Sequence, residues 1–171
     1  MLGDGGVGKT ALRLRFMGHG FQSSYLSTIG ADFALKEVIL ENKESIKMQI
    51  WDLAGQVHYS KIRTNYYIGA HGAFIVYDVV RPDSFENITN WILEVKKNLN
   101  KPIPIVLIAN KIDLRNQFDQ AVSKNDGQKL KEKLEKEYEN KVYYVETSAF
   151  TGAGVDEAFH LLVKELSANY Q

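Results

Sequence analysis

The residues from Gly3 to Thr10 have the types and the spacing of a loop that holds phosphate groups. They read GDGGVGKT, which satisfies the pattern G-x-x-x-x-G-K-[ST]. The glycines let main-chain N–H groups curl around phosphate oxygens at a helix N-terminus. Lys9 would reach the β and γ phosphates, and Thr10 would offer its hydroxyl to Mg²⁺. The nucleotide-binding residues predicted here are Gly5, Gly6, Val7, Gly8, Lys9, Thr10 and Ala11.

The loop indicates a nucleoside triphosphate but neither its base nor its reaction, because kinases, ATPases and GTPases all use this pattern. A glycine-rich turn before a helix is the alternative interpretation. Further along the chain, Asn110, Lys111 and Asp113 form the pattern N-K-x-D. A carboxylate at Asp113 can accept hydrogen bonds from guanine N1–H and its amino group, whereas adenine would leave the carboxylate unpaired. The pattern therefore favours guanine, with a polar turn as the alternative.

A third pattern, WDLAGQ, supplies candidate residues for the reaction itself. Asp52 is placed like the acidic residue that helps to hold Mg²⁺ through water, and Gly55 can offer an unobstructed N–H to the γ-phosphate. Gln56 has an amide that both donates and accepts, which orienting an attacking water requires. We predict Gln56 and Lys9 as catalytic residues, and Thr10 and Asp52 as metal ligands. Because strand ends often carry Asp and Gly, the pattern D-x-x-G by itself is weak evidence for a nucleotide site.

The fourth pattern, ETSA from Glu146 to Ala149, is the weakest, since a turn or a helix cap explains it equally well. Its weight comes from order and position. All four patterns occur in one fixed order, each at the end of a predicted strand, and such a combination rarely arises by chance. Ligands in α/β sheets bind beyond the carboxyl ends of the strands, which is where these patterns fall.

The elements that must position these residues are visible in the hydrophobic pattern. DFALKEVIL and SIKMQIWDL predict an antiparallel pair. AFIVYDV, IPIVLIAN and VYYVE are apolar throughout, which is typical of strands buried on both faces of a parallel sheet. Helical patterns lie between them, one opened by a predicted capping box of Asp83 and Glu86 and one with Leu130, Leu134 and Tyr138 on a single face. Strands that alternate with helices predict an α/β fold in one domain, residues 1–171.

Composition excludes several classes of protein. The 171 residues include 21 basic and 21 acidic side chains, so that no net field favours nucleic acid. There is no cysteine, which excludes disulfides and thiolate metal sites within this sequence. The four histidines are scattered without the spacing of zinc ligands. No signal peptide or membrane-spanning apolar run is present, and the predicted location is the cytoplasm.

Together the four patterns resemble the Ras superfamily of small GTPases over essentially the whole chain. YLSTIGADF, IWDLAGQ and YYIGAHGAFIVYDV are most similar to its Rab branch. The resemblance implies a P-loop GTPase fold with a mostly parallel central sheet, one antiparallel edge strand and helices on both faces. It also implies that Thr28 binds Mg²⁺, that Phe21 lies against guanine and that Tyr25 covers the phosphates. The further base contacts implied are Ser148, Ala149 and Phe150.

The function implied is a switch that binds GTP or GDP with Mg²⁺ and slowly hydrolyses GTP. Effectors, activating proteins and exchange factors would bind residues 22–32 and 54–64, together with an aromatic trio of Phe33, Trp51 and Tyr59. No arginine or lysine lies between Gly18 and Asp32, so an activating protein would have to supply the arginine that speeds hydrolysis. We predict a monomer. The alternatives are a nucleotide-binding module that hydrolyses nothing and a P-loop kinase or ATPase.

Several residues depart from the family pattern. Phe150 replaces a lysine, Val57 an acidic residue and Leu53 a threonine, while Gly5 stands where many Rab proteins have serine. The C-terminal cysteines that carry lipid in Rab proteins are absent, so membrane attachment is not supported unless a lipidated tail is missing. Only Met1 and Leu2 precede the phosphate loop. We therefore expect the first strand to be largely missing from this sequence.

Overall fold

The computed structural model describes residues 1–21, 28–40 and 42–168. The helices are α1 (Lys9–Phe16), α2 (Ser60–Arg63), α3 (Pro82–Glu86), α4 (Ile88–Asn98), α5 (Lys124–Glu137) and α6 (Val155–Ala168). The strands are β1 (Ala31–Ile39), β2 (Ser45–Leu53), β3 (Ala73–Asp78), β4 (Ile105–Asn110) and β5 (Val142–Glu146). Short 3₁₀ turns cover Val57–Tyr59, Thr64–Tyr66 and Ile112–Gln117. Among the described residues, no helix is long and apolar enough to cross a membrane.

The strands form two ladders, as the sequence predicts. β1 pairs antiparallel with β2, from Ala31 opposite Leu53 to Ile39 opposite Ser45. β3, β4 and β5 pair in parallel in that order. The predicted α/β architecture with an antiparallel edge strand is confirmed.

Met1 and Leu2 join the two ladders. The Leu2 N–H donates to Phe74 at 2.8 Å, and the Leu2 carbonyl accepts from Val76 at 2.9 Å, in parallel with β3. On the other side, the amino group of Met1 donates to the Trp51 carbonyl of β2 at 2.6 Å. The residues directly before the phosphate loop therefore lie between β2 and β3.

Helices cover both faces of the parallel strands, which explains why those strands are apolar throughout. On one face, Ile75 and Leu107 pack in a core with α4 and α5. On the other face, Val76 and Ile108 pack in a second core with α1 and α6. Alternate residues of each strand point to opposite cores, and the carboxyl ends of the strands are held at a common edge.

The predicted capping box of Asp83 and Glu86 is wrong. α3 begins at Pro82, one residue before Asp83, and no side chain caps it. Proline suits the first helical position because its missing N–H would have no partner there. The Ser84 hydroxyl instead donates to the Arg81 carbonyl at 2.7 Å. The predicted apolar face of α5 is confirmed, since Leu134 and Tyr138 are buried in the core and Leu130 packs against it.

Candidate functional site

The described loops that follow the parallel strands surround one large cleft of about 510 Å³. Of the predicted nucleotide and catalytic residues, those that line it are Gly5, Gly6, Gly8, Lys9, Thr10, Ala11, Phe21, Thr28, Gly55, Gln56, Asn110, Lys111, Asp113, Ala149 and Phe150. Val7 and Ser148 lie behind the lining and are buried. Tyr25 and the first part of the predicted switch, residues 22–27, lie outside the described residues. The lining also includes Leu14, Gly20 and Leu114, which lie outside the motifs, and Leu53 and Ala54 of the WDLAGQ pattern, for which no ligand contact is predicted.

The phosphate loop is shaped by glycine. Gly6 and Gly8 have φ angles of 78° and 100°, a region that other residues rarely adopt. A Cβ at Gly8 would lie only 2.3 Å from Nδ2 of Asn110. The loop can therefore approach the Asn110 side chain only with glycine at this position.

Lys9 is buried beneath this loop. Its Nζ donates to the carbonyls of Gly3 and Asp4 at 2.7 and 2.8 Å. Burial lowers the pKa of Lys9 to about 8, although Asp52 and Asp4 act in the opposite direction. An anionic ligand in the cleft would favour the charged form and raise this pKa again.

Asn110 ties three of the predicted motifs together. Its Nδ2 donates to the Val7 carbonyl at 2.8 Å. Its Oδ1 accepts from the Thr147 hydroxyl at 3.0 Å and from the Ala149 N–H at 3.2 Å. Beside it, Lys111 donates to the Gly6 carbonyl at 2.9 Å. The base loop, residues 110–113, and the phosphate loop, residues 3–10, are thus held in one fixed arrangement.

The far end of the cleft combines a carboxylate with two aromatic rings. The Ser148 hydroxyl donates to Oδ1 of Asp113, which fixes the orientation of that carboxylate. Phe21 and Phe150 meet edge to face, with their ring centroids 5.3 Å apart. The two rings are 44% and 59% exposed, so that each still has a face to offer to a flat ligand.

The predicted metal ligands lie together. The Thr10 hydroxyl donates to Oδ2 of Asp52 at 2.5 Å and lies 2.9 Å from the Thr28 hydroxyl. Asp52 is completely buried, and its Oδ1 has no hydrogen-bond partner among the described residues. A buried carboxylate oxygen without a partner is costly unless a cation or water meets it.

This donor set fits Mg²⁺, which takes oxygen ligands and usually completes its shell with water and substrate phosphates. Within the described ranges, no group of three His, Cys, Asp or Glu side chains could hold a metal by itself. The two hydroxyls and the one carboxylate therefore suit a metal that arrives with the phosphates of a nucleotide. Softer metals prefer thiolate or imidazole ligands, which the motifs do not supply here.

Gly55 and Gln56 lie directly against the phosphate loop. A Cβ at Gly55 would be 2.3 Å from the Gly3 carbonyl, so that no larger residue fits between the two loops. The Gln56 side chain lies over Gly5, where an added Cβ would be 3.7 Å from Nε2 of Gln56. This arrangement puts the amide beside the part of the loop that would face a γ-phosphate.

Comparison with known proteins agrees with this geometry. The model of the Ras family matches residues 1–168. The chain is 40% identical to the Ras-related protein Rab-13 of Rattus norvegicus over 97% of its own length and 77% of that protein. It is also 40% identical to human Rab-8B and to the GTP-binding protein ypt3 of Schizosaccharomyces pombe, over 76% and 73% of those proteins. The chain belongs to the Ras family. Its relatives place it in the Rab branch, and as a small GTPase it is a guanine-nucleotide switch that hydrolyses GTP.

The aromatic surface of this small GTPase differs in one residue from the predicted trio. Phe33 and Trp51 lie opposite each other on β1 and β2, with ring centroids 5.1 Å apart. Tyr66 completes the group at 4.8 Å from Trp51. Tyr59 instead contacts the ring of His58 at 4.1 Å. The three rings that the structure brings together are therefore Phe33, Trp51 and Tyr66.

Sequence reasoning missed an arginine that holds the second of the two predicted switch segments, residues 22–32 and 54–64. Arg63 is buried and donates to the carbonyls of Ala54 and Gln56, both at 2.9 Å. Its guanidinium also forms two hydrogen bonds with Glu94 of α4, at 2.8 and 2.9 Å. Burial alone would raise the pKa of Glu94, but hydrogen bonds from Arg63 and Tyr67 outweigh it and leave that pKa below its usual value.

The outer side of the phosphate loop has two further anchors that the motifs do not indicate. Asp4 accepts a hydrogen bond from the Trp91 indole at 2.8 Å. Arg81 donates to the Gly5 carbonyl at 2.8 Å. Neither pair carries a sequence signal, because the partners are separated by 87 and 76 residues.

Proposed function

We propose that residues 1–171 form a single switch domain that binds GTP or GDP with Mg²⁺ in the described cleft and acts in membrane trafficking or signalling. The observation that carries this proposal is the position of Asn110, whose one side chain holds the phosphate loop, the base loop and the segment from Thr147 to Ala149 at fixed distances. A nucleotide must contact phosphate and base loops at once. The cleft has both.

In this proposal the base lies at the Asp113 end. The Asp113 carboxylate accepts hydrogen bonds from N1–H and from the amino group of guanine, and Ser148 keeps it in position. Phe21 and Phe150 provide aromatic faces on which the base stacks. Ala149, Asn110 and Lys111 form the walls around them.

The triphosphate lies over the glycine loop, where main-chain N–H groups and Lys9 balance its charge. Thr10 and Thr28 would bind Mg²⁺ directly and Asp52 through water, and the ion would neutralise charge on the β and γ phosphates. Gln56 orients a water molecule in line with the γ-phosphate, while Gly55 donates its N–H to that phosphate. The resemblance to small GTPases assigns Tyr25 a place over the phosphates, and this residue lies outside the described residues.

Hydrolysis by these residues alone is slow, because no arginine of the first switch reaches the γ-phosphate. An activating protein that inserts an arginine raises the rate by roughly 10³ to 10⁵-fold. Such a protein, effectors and exchange factors bind residues 22–32 and 54–64 and the surface of Phe33 and Trp51. Loss of the γ-phosphate releases both segments, which is how partners distinguish the two states.

The first experiment identifies the nucleotide that the purified protein carries and follows its conversion. Denatured protein should release GDP or GTP, and bound GTP should convert to GDP over minutes to hours only with Mg²⁺. A Gln56→Leu variant should bind equally well and convert GTP at least tenfold more slowly. GTP that binds but is not converted by either protein would show a binding module, and a bound adenine nucleotide would overturn the proposal.

A second experiment tests the base site. Inosine diphosphate lacks the amino group of guanine but keeps N1–H, so that it removes one hydrogen bond to Asp113. The protein should prefer guanosine over inosine diphosphate by about tenfold or more. Asp113→Ala should bind both weakly and with equal affinity. An unchanged preference in this variant would show that Asp113 does not read the base.

A further inference from the structure

Arg13 is a buried arginine of α1 that the proposed mechanism does not use. Its side chain is only 8% exposed. It lies three residues after Thr10 and therefore on the same side of the helix. A buried guanidinium is stable only where acceptors or carboxylates surround it, so that its neighbours indicate its role.

Two carboxylates face this guanidinium from different elements. Nη2 of Arg13 donates to Oδ2 of Asp32 at 2.5 Å, and Asp32 is 59% exposed at its side chain. Nε lies 4.0 Å from Oδ2 of the buried Asp52. This Nε has no hydrogen-bond partner among the described residues. Arg13 thus lies between a carboxylate of β1 and the carboxylate of the proposed metal site.

Hydrogen bonds balance the charge of Asp52 only in part, and Lys9 and the Met1 amino group also interact with this charge. Its Oδ2 accepts from Thr10, while its Oδ1 has no partner among the described residues. A cation 4 Å away in a buried site offsets much of the attraction that a carboxylate has for a second cation. Arg13 and Mg²⁺ would therefore both interact with one carboxylate.

We propose that Arg13 competes electrostatically with Mg²⁺ for Asp52, and that Asp32 limits the competition by holding the guanidinium. The inference rests on the proposed function of Asp52 as a metal-binding residue. In this proposal Arg13 acts through Asp52 and lowers the affinity of the site for Mg²⁺. Asp32 lies only four residues after Thr28. Its contact with Arg13 therefore links the proposed metal site to the end of the first predicted switch segment, residues 22–32.

The test measures release of a fluorescent GDP analogue at a series of buffered free Mg²⁺ concentrations. The concentration of Mg²⁺ that halves the release rate reports the affinity for the metal. Arg13→Met should lower this concentration about tenfold, which corresponds to about 1.4 kcal/mol. Asp32→Asn should raise it about threefold, because the guanidinium then interacts with Asp52 alone.

Opposite directions in the two variants separate this role from simple damage to the fold, which would shift both the same way. The control is Lys141→Met, which removes a cation from an ion pair with Glu165 at the opposite end of β5 and should leave the concentration unchanged. If Arg13→Met does not fold, Asp32→Asn keeps the buried arginine and still tests the proposal. Equal Mg²⁺ dependence in wild type and Asp32→Asn would overturn it. Release from the wild type that does not depend on Mg²⁺ would instead contradict the proposed metal site.

Discussion

Lys9, which we propose binds phosphate, destabilises the protein before its ligand arrives. Its ammonium is buried among main-chain carbonyls, and burial holds its pKa near 8 rather than near 10.5. The carbonyls of Gly3 and Asp4 offset this cost only in part. A phosphate supplies the missing negative charge, so that the lysine and the nucleotide stabilise each other.

This predicts that nucleotide binding takes up a proton in alkaline solution. With a pKa of about 8, about nine-tenths of free protein has charged Lys9 at pH 7 and about one-tenth at pH 9. Bound phosphate raises the pKa, so binding should take up about 0.1 proton at pH 7 and about 0.9 at pH 9. Calorimetry in two buffers of different ionisation heat measures this number. No uptake at pH 9 would contradict the low pKa.

Single residues also show what the sequence can predict about the site. Asn110, Asp113 and Thr10 belong to short local patterns, and the structure brings all three to one cleft. Arg63 escaped prediction because its partner Glu94 is 31 residues away on another helix. The predicted aromatic trio contains Tyr59, whereas Tyr66 contacts Trp51 in the structure, because sequence alone does not show which ring turns toward Trp51.

At the scale of elements, Arg63, Glu94 and Tyr67 hold the predicted second switch to α4. The guanidinium also stacks over Trp91, 4.7 Å from its ring centre. Arg63 thus connects the backbone of Gln56 with a helix that itself contacts the phosphate loop through Trp91 and Asp4. The position of Gln56, the proposed catalytic glutamine, therefore depends on a helix that does not line the cleft.

Arg63→Met should lower the free energy of unfolding by about 2 kcal/mol. The loss of a fully buried partner would cost about 3–5 kcal/mol, and water relieves part of this because the Glu94 side chain is 23% exposed. Glu94→Gln should cost less, and the double variant should cost about 1 kcal/mol less than the sum of both. Urea unfolding measures all three. Lys131→Met, which breaks an exposed pair with Glu135, should change little, and strictly additive effects would contradict the coupling.

Gly127 allows α5 to lie close to β5. It is buried inside the helix, and a Cβ there would lie 2.5 Å from the hydroxyl oxygen of Tyr144. Alanine is favoured over glycine in a helix by about 1 kcal/mol, but overpacking costs roughly 1–3 kcal/mol. The close contact therefore outweighs the helical preference.

We accordingly expect Gly127→Ala to lower the free energy of unfolding by about 1 kcal/mol. The change should become neutral or stabilising when it is combined with Tyr144→Val, which removes the ring from the contact. Thermal or urea unfolding of the two proteins and of Tyr144→Val alone gives the comparison. A Gly127→Ala variant that is more stable than the wild type would show that the helix shifts without cost.

The elements themselves were more predictable than the contacts between them. β3 and β4 are apolar throughout because the two faces of each strand pack against different cores, and the sequence shows this directly. The start of α3 was misplaced, because proline at its first position removes the need for the cap that Asp83 suggested. Local patterns thus define strands well and helix starts less well where two signals overlap.

At the scale of the whole molecule, charge and exposed apolar side chains act together. The formal net charge is zero and the isoelectric point of the sequence is about 6.9. Ile29, Val57 and Ile68 are 82%, 85% and 83% exposed. A protein without net charge has little electrostatic repulsion to keep such surfaces apart.

Light scattering should therefore show the greatest self-association near pH 7 and less at pH 8.5. The double variant Val57→Glu with Ile68→Arg leaves the net charge unchanged but removes two exposed apolar side chains. It should stay monomeric at concentrations where the wild type associates at pH 7. Equal association of both proteins would assign the effect to net charge alone.

The three loops that Asn110 connects also have a consequence for evolution. The amide of Asn110 hydrogen-bonds to Val7, Thr147 and Ala149. A mutation of Asn110 therefore cannot alter the preference for the base without also changing how the phosphate loop is held. Gene duplicates of this chain would thus be free to diverge at surfaces such as Val57 and Ile68 while the ligand stays the same. New partners can arise by drift in such a lineage, whereas a change at Asn110 would disturb the phosphate loop and the segment from Thr147 to Ala149 together.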